Sequence, residues 1–304
     1  MIAILGAGAF GSALAMALPG PTKIWGRGLT GRSPARLPGH SFPEHVEIAP
    51  SISEAAIGAE VVLIATPMKA LRTVAEELDT QAPLIACCKG IDPETGLGAA
   101  SLLESLTGKP AGILTGPSFA ADIARGLPTA LTLAMEGDSA AVQARLSGPV
   151  IRLYTSADVR GAELGGALKN VLAIAAGAVM GAGLGQSAQA ALLTRGFAEI
   201  TTLARCEGAK TETLMGLSGV GDMMLTAFSE GSRNYRYGLA LGRGESFGED
   251  TTVEGITTAA AIAQLAEKHG LDLPVLATTQ RLLSGELTIN TAVQALMSRP
   301  LKEE

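Results

Sequence analysis

The sequence predicts an α/β domain, a Rossmann-type unit with a mainly parallel sheet, followed by an all-α domain. Three observations carry this expectation. Short apolar runs alternate with helix-like stretches through the first half. From about residue 162 the pattern becomes helix after helix. A glycine-spaced turn, "GAGAFG", stands between the first apolar run and the first helical stretch. Continuous apolar runs without polar alternation mark strands covered on both faces, the condition of a parallel sheet. The boundary is expected near 158–162, which gives a first domain over 1–160 and a second over 161–304. A chain of 304 residues suits about two domains of ordinary size.

In chain order, Ile2–Leu5 reads as a strand and 11–18 as a helix stopped by Pro19-Gly20. Thr22–Trp25, 60–65, 84–88, 111–114 and Thr129–Ala134 read as further buried strands, and 69–78 as a helix. Residues 28–50 hold several Gly and Pro and read as an irregular loop. In the second half helices are expected over 163–180, 186–206, a short piece after Thr211, 234–241, 253–269, 275–284 and 288–297.

Composition limits the function classes. Hydrophobic residues make up 47% and charged residues 17%, so a large core is available and global disorder is not expected. The net charge of -6 argues against a general nucleic-acid binder. Cys87, Cys88 and Cys206 form no ligand cluster with histidine, and the adjacent pair is poorly placed for a disulfide, which fits a reduced, cytoplasmic setting. His40, His45 and His269 show no metal spacing, so no metal is expected. No signal peptide is expected, because the first apolar run is short, glycine-broken and lacks a basic flank. The apolar stretch 171–184 is shorter than the ~20 residues a bilayer span needs and reads as a buried core helix.

The glycine turn follows a strand and opens a helix, as a Rossmann fingerprint requires. Gly6 allows the tight turn, Gly8 lets the backbone approach a pyrophosphate, and Gly11 lets helix and strand pack closely. The helix start offers free N–H groups and partial positive charge to phosphates. At the end of the second strand, where an NAD site usually carries a carboxylate, stands Trp25-Gly26-Arg27. Arg27 reads two ways: a solvated loop charge, or a guanidinium able to meet a 2′-phosphate.

Other polar residues stand among small apolar neighbours. Helical spacing puts Gly165, Gly166, Ala173 and Ala176 on the face of Lys169. That lysine is either partly desolvated and suited to proton transfer, or snorkels out of a tight helix packing. Lys89 follows the buried strand 84–88 at the sheet's carboxyl end, where ligands bind in α/β folds. Gly116 and Ser118 follow the strand 111–114 in the same layer, where Ser118 could equally be a helix N-cap. Asp222 and Thr226 share a helical face, and Asp222 could simply complement the dipole. Ser232, Arg233 and Asn234 after Gly231 suit an anion, or a capped helix with an exposed arginine.

The stretches "GAGAFGSALA", "WGR", "CKGI", "LTGPSFA", "ELGGALKNVLAIAAG", "GLSGVGDMMLTAFSEGSRNYRYG" and "VEGITTA" span nearly the whole chain. In that order they closely resemble the NAD(P)-dependent glycerol-3-phosphate dehydrogenases. The resemblance implies reversible hydride transfer between NAD(P)H and dihydroxyacetone phosphate, giving sn-glycerol 3-phosphate for phospholipid synthesis. It implies Lys169 as the catalytic lysine and Lys89 as a second active-site lysine, with Asp222 beside them. Lys89, Gly116, Ser118, Lys169, Asp222, Ser232, Arg233 and Asn234 match substrate positions. Ala9, Phe10, Arg27, Lys89, Ala120, Arg233, Val253 and Glu254 match cofactor positions, beside Gly6, Gly8 and Gly11. The family's usual stretch is shortened between Arg27 and Pro50, leaving "RLPGHSFPEHV". NADPH is favoured over NADH as coenzyme, because no carboxylate follows the second strand to repel a 2′-phosphate. The expected partner is a phosphorylated small molecule, with no nucleic acid, no membrane span, and a homodimer as the candidate assembly.

Three other readings stand beside this one. A different hydroxyacid-type dehydrogenase would turn the Ser232-Arg233-Asn234 set on a carboxylate substrate. A UDP-sugar dehydrogenase would need a catalytic cysteine, but Cys87 and Cys88 fall in a buried strand. A non-catalytic dinucleotide sensor has no use for two lysines and Asp222 together.

Overall fold

A computed structural model describes residues 1–248 and 252–299. The tail of the second expected domain, 300–304, lies outside the described residues. The strands are β1 (Ile2–Leu5), β2 (Thr22–Trp25), β3 (Val46–Ile48), β4 (Val61–Ile64), β5 (Leu84–Ala86), β6 (Ala111–Thr115), β7 (Thr129–Ala134) and β8 (Ile151–Ser156). Among them run α1 (Ala9–Ala17), α2 (Ile52–Ala56), α3 (Leu71–Glu77), α4 (Ala99–Thr107), α5 (Ala120–Ala124) and α6 (Ser139–Leu146). The helical part follows: α7 (Val159–Gly181), α8 (Gly185–Cys206), α9 (Thr211–Leu214), α10 (Asp222–Ala227), α11 (Arg233–Arg243), α12 (Glu254–His269), α13 (Pro274–Leu283) and α14 (Ile289–Met297).

The eight strands form one sheet in the order β3-β2-β1-β4-β5-β6-β7-β8. All pairings are parallel except β6–β7, where Leu114 faces Leu133 in antiparallel register. Alternate residues feed two cores: Ile2 and Ile4 enter one face of the sheet, Ala3 and Leu5 the other. Order reverses at β1, whose neighbours are β2 and β4, and a crevice opens beyond the strand ends there.

Two strands go beyond the sequence reading. β3 lies inside the stretch taken as irregular, and β8 was not anticipated. Both are sheet edges. β8 alternates buried Ile151 and Leu153 with outward Arg152 and Tyr154, so it lacks the continuous apolar run of a central strand. The fifth strand ends at Ala86, leaving Cys87 and Cys88 buried just past it.

The sheet ends at Ser156 and α7 begins at Val159. Asp158 links them: its Oδ1 accepts from Gly161 N at 2.8 Å, and its Oδ2 from Lys210 N at 2.9 Å. α7 is long and apolar enough to cross a membrane by composition, but 83% of that window is buried inside the fold. It is the axis of the helical part, with α8, α10, α11 and α12 packed around it. Glu163 ties it to the sheet domain, accepting from Ser101 N at 2.8 Å and Ser101 Oγ at 2.7 Å.

Candidate active site

The glycine turn takes the conformation its spacing demands. Gly6 has φ +123°, and a Cβ there would fall 2.6 Å from the Ala65 backbone. A Cβ on Gly11 would fall 2.0 Å from Gly6 O. Gly8 is different: it is the N-cap of α1, and a Cβ there would meet no atom within 4 Å. Space above a capless helix start, with no acidic residue in its first turn, is a cradle for a phosphate-bearing group. Ala9 and Phe10 form that first turn. A cleft of about 1000 Å³ is lined by Gly6, Gly8, Trp25 and Arg27, with Thr66 and Lys69. These features fit a dinucleotide. Arg32 and Arg36 also line the cleft, which the sequence reading did not anticipate. Arg32 is spent on the Phe42, Pro43 and Val46 carbonyls, so it folds the shortened 28–50 stretch onto itself.

A cluster of charges lies where the sheet domain meets α7. Asp222, 1% exposed, bridges two lysines. Its Oδ1 accepts from Lys169 Nζ at 2.5 Å and its Oδ2 from Lys89 Nζ at 2.6 Å. Lys169 also donates to Thr226 Oγ1 at 2.6 Å, and that hydroxyl donates to Asp222 O at 2.6 Å. Lys89 donates in addition to Gly116 O at 3.2 Å. Lys169 is therefore buried and bonded, not snorkelling. Thr226 shared a helical face with Asp222 in the sequence, and the i, i+4 spacing was the signal for its place here.

Small residues make this approach possible. A Cβ on Gly165 would fall 2.7 Å from Ser218 O, and one on Gly166 would fall 2.7 Å from Thr115 Oγ1. The backbone at Leu217–Gly221 winds as a π turn directly before α10, which aims Asp222 back at α7.

Burial pushes the Lys169 ammonium down to about 8, with Lys89 adding to the fall and Asp222 opposing it. Burial raises the Glu254 carboxyl, and Arg233, Lys89 and Lys169 oppose that rise. Glu254 thus shares the site with all three cations. Burial also raises both thiols, Cys88 to about 12 and Cys87 beyond it. Neither is a thiolate nucleophile, which removes the support for a cysteine-dependent reaction.

The remaining residues take definite places. Ser118 does not cap α5; Phe119 holds the N-cap position, and Ser118 Oγ donates to Gly116 O at 3.4 Å. Ala120 opens α5, which packs on α1. Ser232 caps α11, accepting from Tyr235 N at 3.2 Å. Arg233 is exposed beside it. Asn234 is locked between helices: its Nδ2 donates to Asn170 Oδ1 at 3.0 Å and its Oδ1 accepts from Gly255 N at 3.0 Å. That contact holds Val253, the N-cap of α12, and Glu254 against the site. Asn170 Nδ2 is buried without a partner among the described residues.

A cleft that fits a dinucleotide, together with a buried lysine held on a carboxylate, is the equipment of a nicotinamide-dependent oxidoreductase. Comparison with known proteins narrows that class. Residues 1–141 match the NAD-dependent glycerol-3-phosphate dehydrogenase N-terminus and residues 158–294 the C-terminus of the same family. The chain is 55% identical to glycerol-3-phosphate dehydrogenase [NAD(P)+] of Cereibacter sphaeroides, covering 100% of both chains. It is 50% identical to the enzyme of that name from Ruegeria sp., covering 100% of this chain and 99% of the other. The crystal structure of glycerol-3-phosphate dehydrogenase from Coxiella burnetii superposes with TM-score 0.90 at 34% identity, covering 98% of each chain. The chain belongs to the NAD-dependent glycerol-3-phosphate dehydrogenase family.

Proposed function

We propose that the chain reduces dihydroxyacetone phosphate to sn-glycerol 3-phosphate, reversibly, with NADPH favoured over NADH. The observation that carries this is Asp222 bridging Lys169 of α7 and Lys89, which follows β5 of the sheet. NAD(P)H supplies the hydride when bound. As hydride arrives at C2, the carbonyl oxygen gains negative charge and needs a proton. Lys169 has three N–H donors, of which Asp222 and Thr226 take two. The third proton serves the developing alkoxide, and Lys169 recovers it in the oxidation direction. Asp222 orients the ammonium and keeps it charged despite burial. Lys89 adds positive charge beside the same oxygen.

Arg233, with Ser232 and Asn234, holds the substrate phosphate, so binding energy remote from the reacting carbon fixes its orientation. Ser232 still has its O–H to donate, because its cap contact uses it as acceptor. Gly116 and Ser118 shape the opposite wall. Ala9, Phe10, Ala120, Val253 and Glu254 line the coenzyme with the glycine turn, and Arg27 meets the 2′-phosphate. The working assembly is a homodimer in the cytoplasm, and its product feeds phospholipid synthesis. We place the domain boundary at the Asp158 cap, where the second family match begins.

A coenzyme-oxidation assay tests the reading. Dihydroxyacetone phosphate should turn over, and unphosphorylated dihydroxyacetone and keto acids should not. Preference for a keto acid would hand the Arg233 cluster to a carboxylate and overturn the assignment.

A further inference from the structure

Helix α10 carries both residues that hold Lys169, yet it has only six residues. A helix that short has no stability of its own in water and keeps its shape only through its surroundings. Its outer face adds little, because Met224 is 56% exposed and Phe228, just past its end, 54%. Its front end is fixed by close backbone packing: a Cβ on Gly219 would fall 1.8 Å from Leu214 O. At its rear end, the carbonyl of Ala227 is met by a side chain from another helix. Gln189 of α8, 3% exposed, donates from Nε2 to Ala227 O at 3.1 Å.

We infer that Gln189 is a positioning residue for proton transfer: it anchors the end of α10 so that Asp222 and Thr226 stay within hydrogen-bond reach of Lys169. The inference rests on Lys169 being the proton donor. Thr226 lies one residue before the anchored carbonyl, and its hydroxyl already spans back to Asp222 O. A slip of the helix end would therefore move both partners of the ammonium together. Burial and three groups set its charge: Asp222 from α10, Lys89 from beyond β5 and Glu254 from α12. Arg233 of α11 acts on Glu254. Among them Asp222 is the nearest stabilising carboxylate, so its displacement lowers the proton affinity of Lys169.

The experiment is the pH profile of kcat/KM in both directions for Gln189→Met, which keeps the stem and removes the donor. The alkaline limb for ketone reduction should move down by about one pH unit, and the limb for alcohol oxidation should move the same way. A packing role alone would lower Tm and leave both limbs in place, and that result overturns the inference. Gln189→Lys provides the rescue, since an ammonium facing a helix C-terminus suits the dipole and still donates. It should keep the wild-type limbs; a folded Gln189→Lys enzyme with displaced limbs overturns the inference even if Gln189→Met does not fold. Lys169→Met is run beside them. Full turnover there defeats the proton-donor reading itself, whereas lost turnover with unmoved Gln189→Met limbs defeats only the role of Gln189.

Discussion

At the scale of single residues, the proposed chemistry turns on how many protons Lys169 can spare. Two of its three donors are committed, so one remains for the substrate oxygen. Lys169→Met should keep coenzyme binding, read from the fluorescence of Trp25, the chain's one tryptophan, in the cleft. Turnover should fall by roughly 10²–10⁴-fold, the usual contribution of a general acid. Because the ammonium sits at about 8, reduction should weaken as pH rises through that value while oxidation strengthens. In the proposed function Arg27 carries the coenzyme choice. Arg27→Asp should move relative kcat/KM from NADPH toward NADH by about 1–3 kcal/mol, by losing an attraction and adding a repulsion. A coenzyme ratio untouched by the change would make Arg27 a surface charge. Which residue types gather at the candidate site was legible in the sequence through small neighbours and motif resemblance. Who bonds whom was not: Lys169 and Asp222 lie 53 positions apart, and no local pattern encodes that distance.

At the scale of elements, glycines decide how close helices come. α7 and α11 interlock backbone to backbone: a Cβ on Gly238 would fall 2.1 Å from Ile174 O, and one on Gly177 would fall 2.2 Å from Tyr235 O. Gly238→Ala should therefore destabilise the fold by about 1–3 kcal/mol, the usual cost of overpacking, read from the denaturant midpoint. Gly31→Ala, facing open space, is the control and should change little. The central strands were legible because they are buried on both faces and read as apolar runs. β3 was missed because Val46–Ile48 is three residues long with exposed Glu47 in the middle. The reversed direction of β7 was invisible, since an apolar run carries no sign of which way it points.

At the scale of the whole molecule, Glu207 gathers the helical part around one carboxylate. Its partners are Arg160 Nη2 at 2.5 Å, Lys268 Nζ at 3.0 Å and His269 Nε2 at 2.5 Å, from the start of α7 and the end of α12. Burial alone would raise this carboxyl, but hydrogen bonds from His269, Arg160 and Lys268 outweigh it and hold the pKa at about 2. A depressed carboxylate stabilises the fold above its ordinary pKa of 4.5, and that contribution is lost as pH falls toward about 2. Tm should drop through this window, and Glu207→Gln should lower Tm at neutral pH while flattening the drop. A Glu207→Gln enzyme with the wild-type acid slope would remove Glu207 as its cause. The sequence hid this cluster because its members are polar residues on helix surfaces, where any charge reads as solvated. Asp222 has a wider consequence, because it joins a lysine of the sheet domain to a lysine of the helical one. A chain cut at Ala157 would leave Lys89 on one fragment and Lys169 with Asp222 on the other. Coenzyme consumption would then work as a logical AND gate between two polypeptides, silent for either half and switched on only by their reunion.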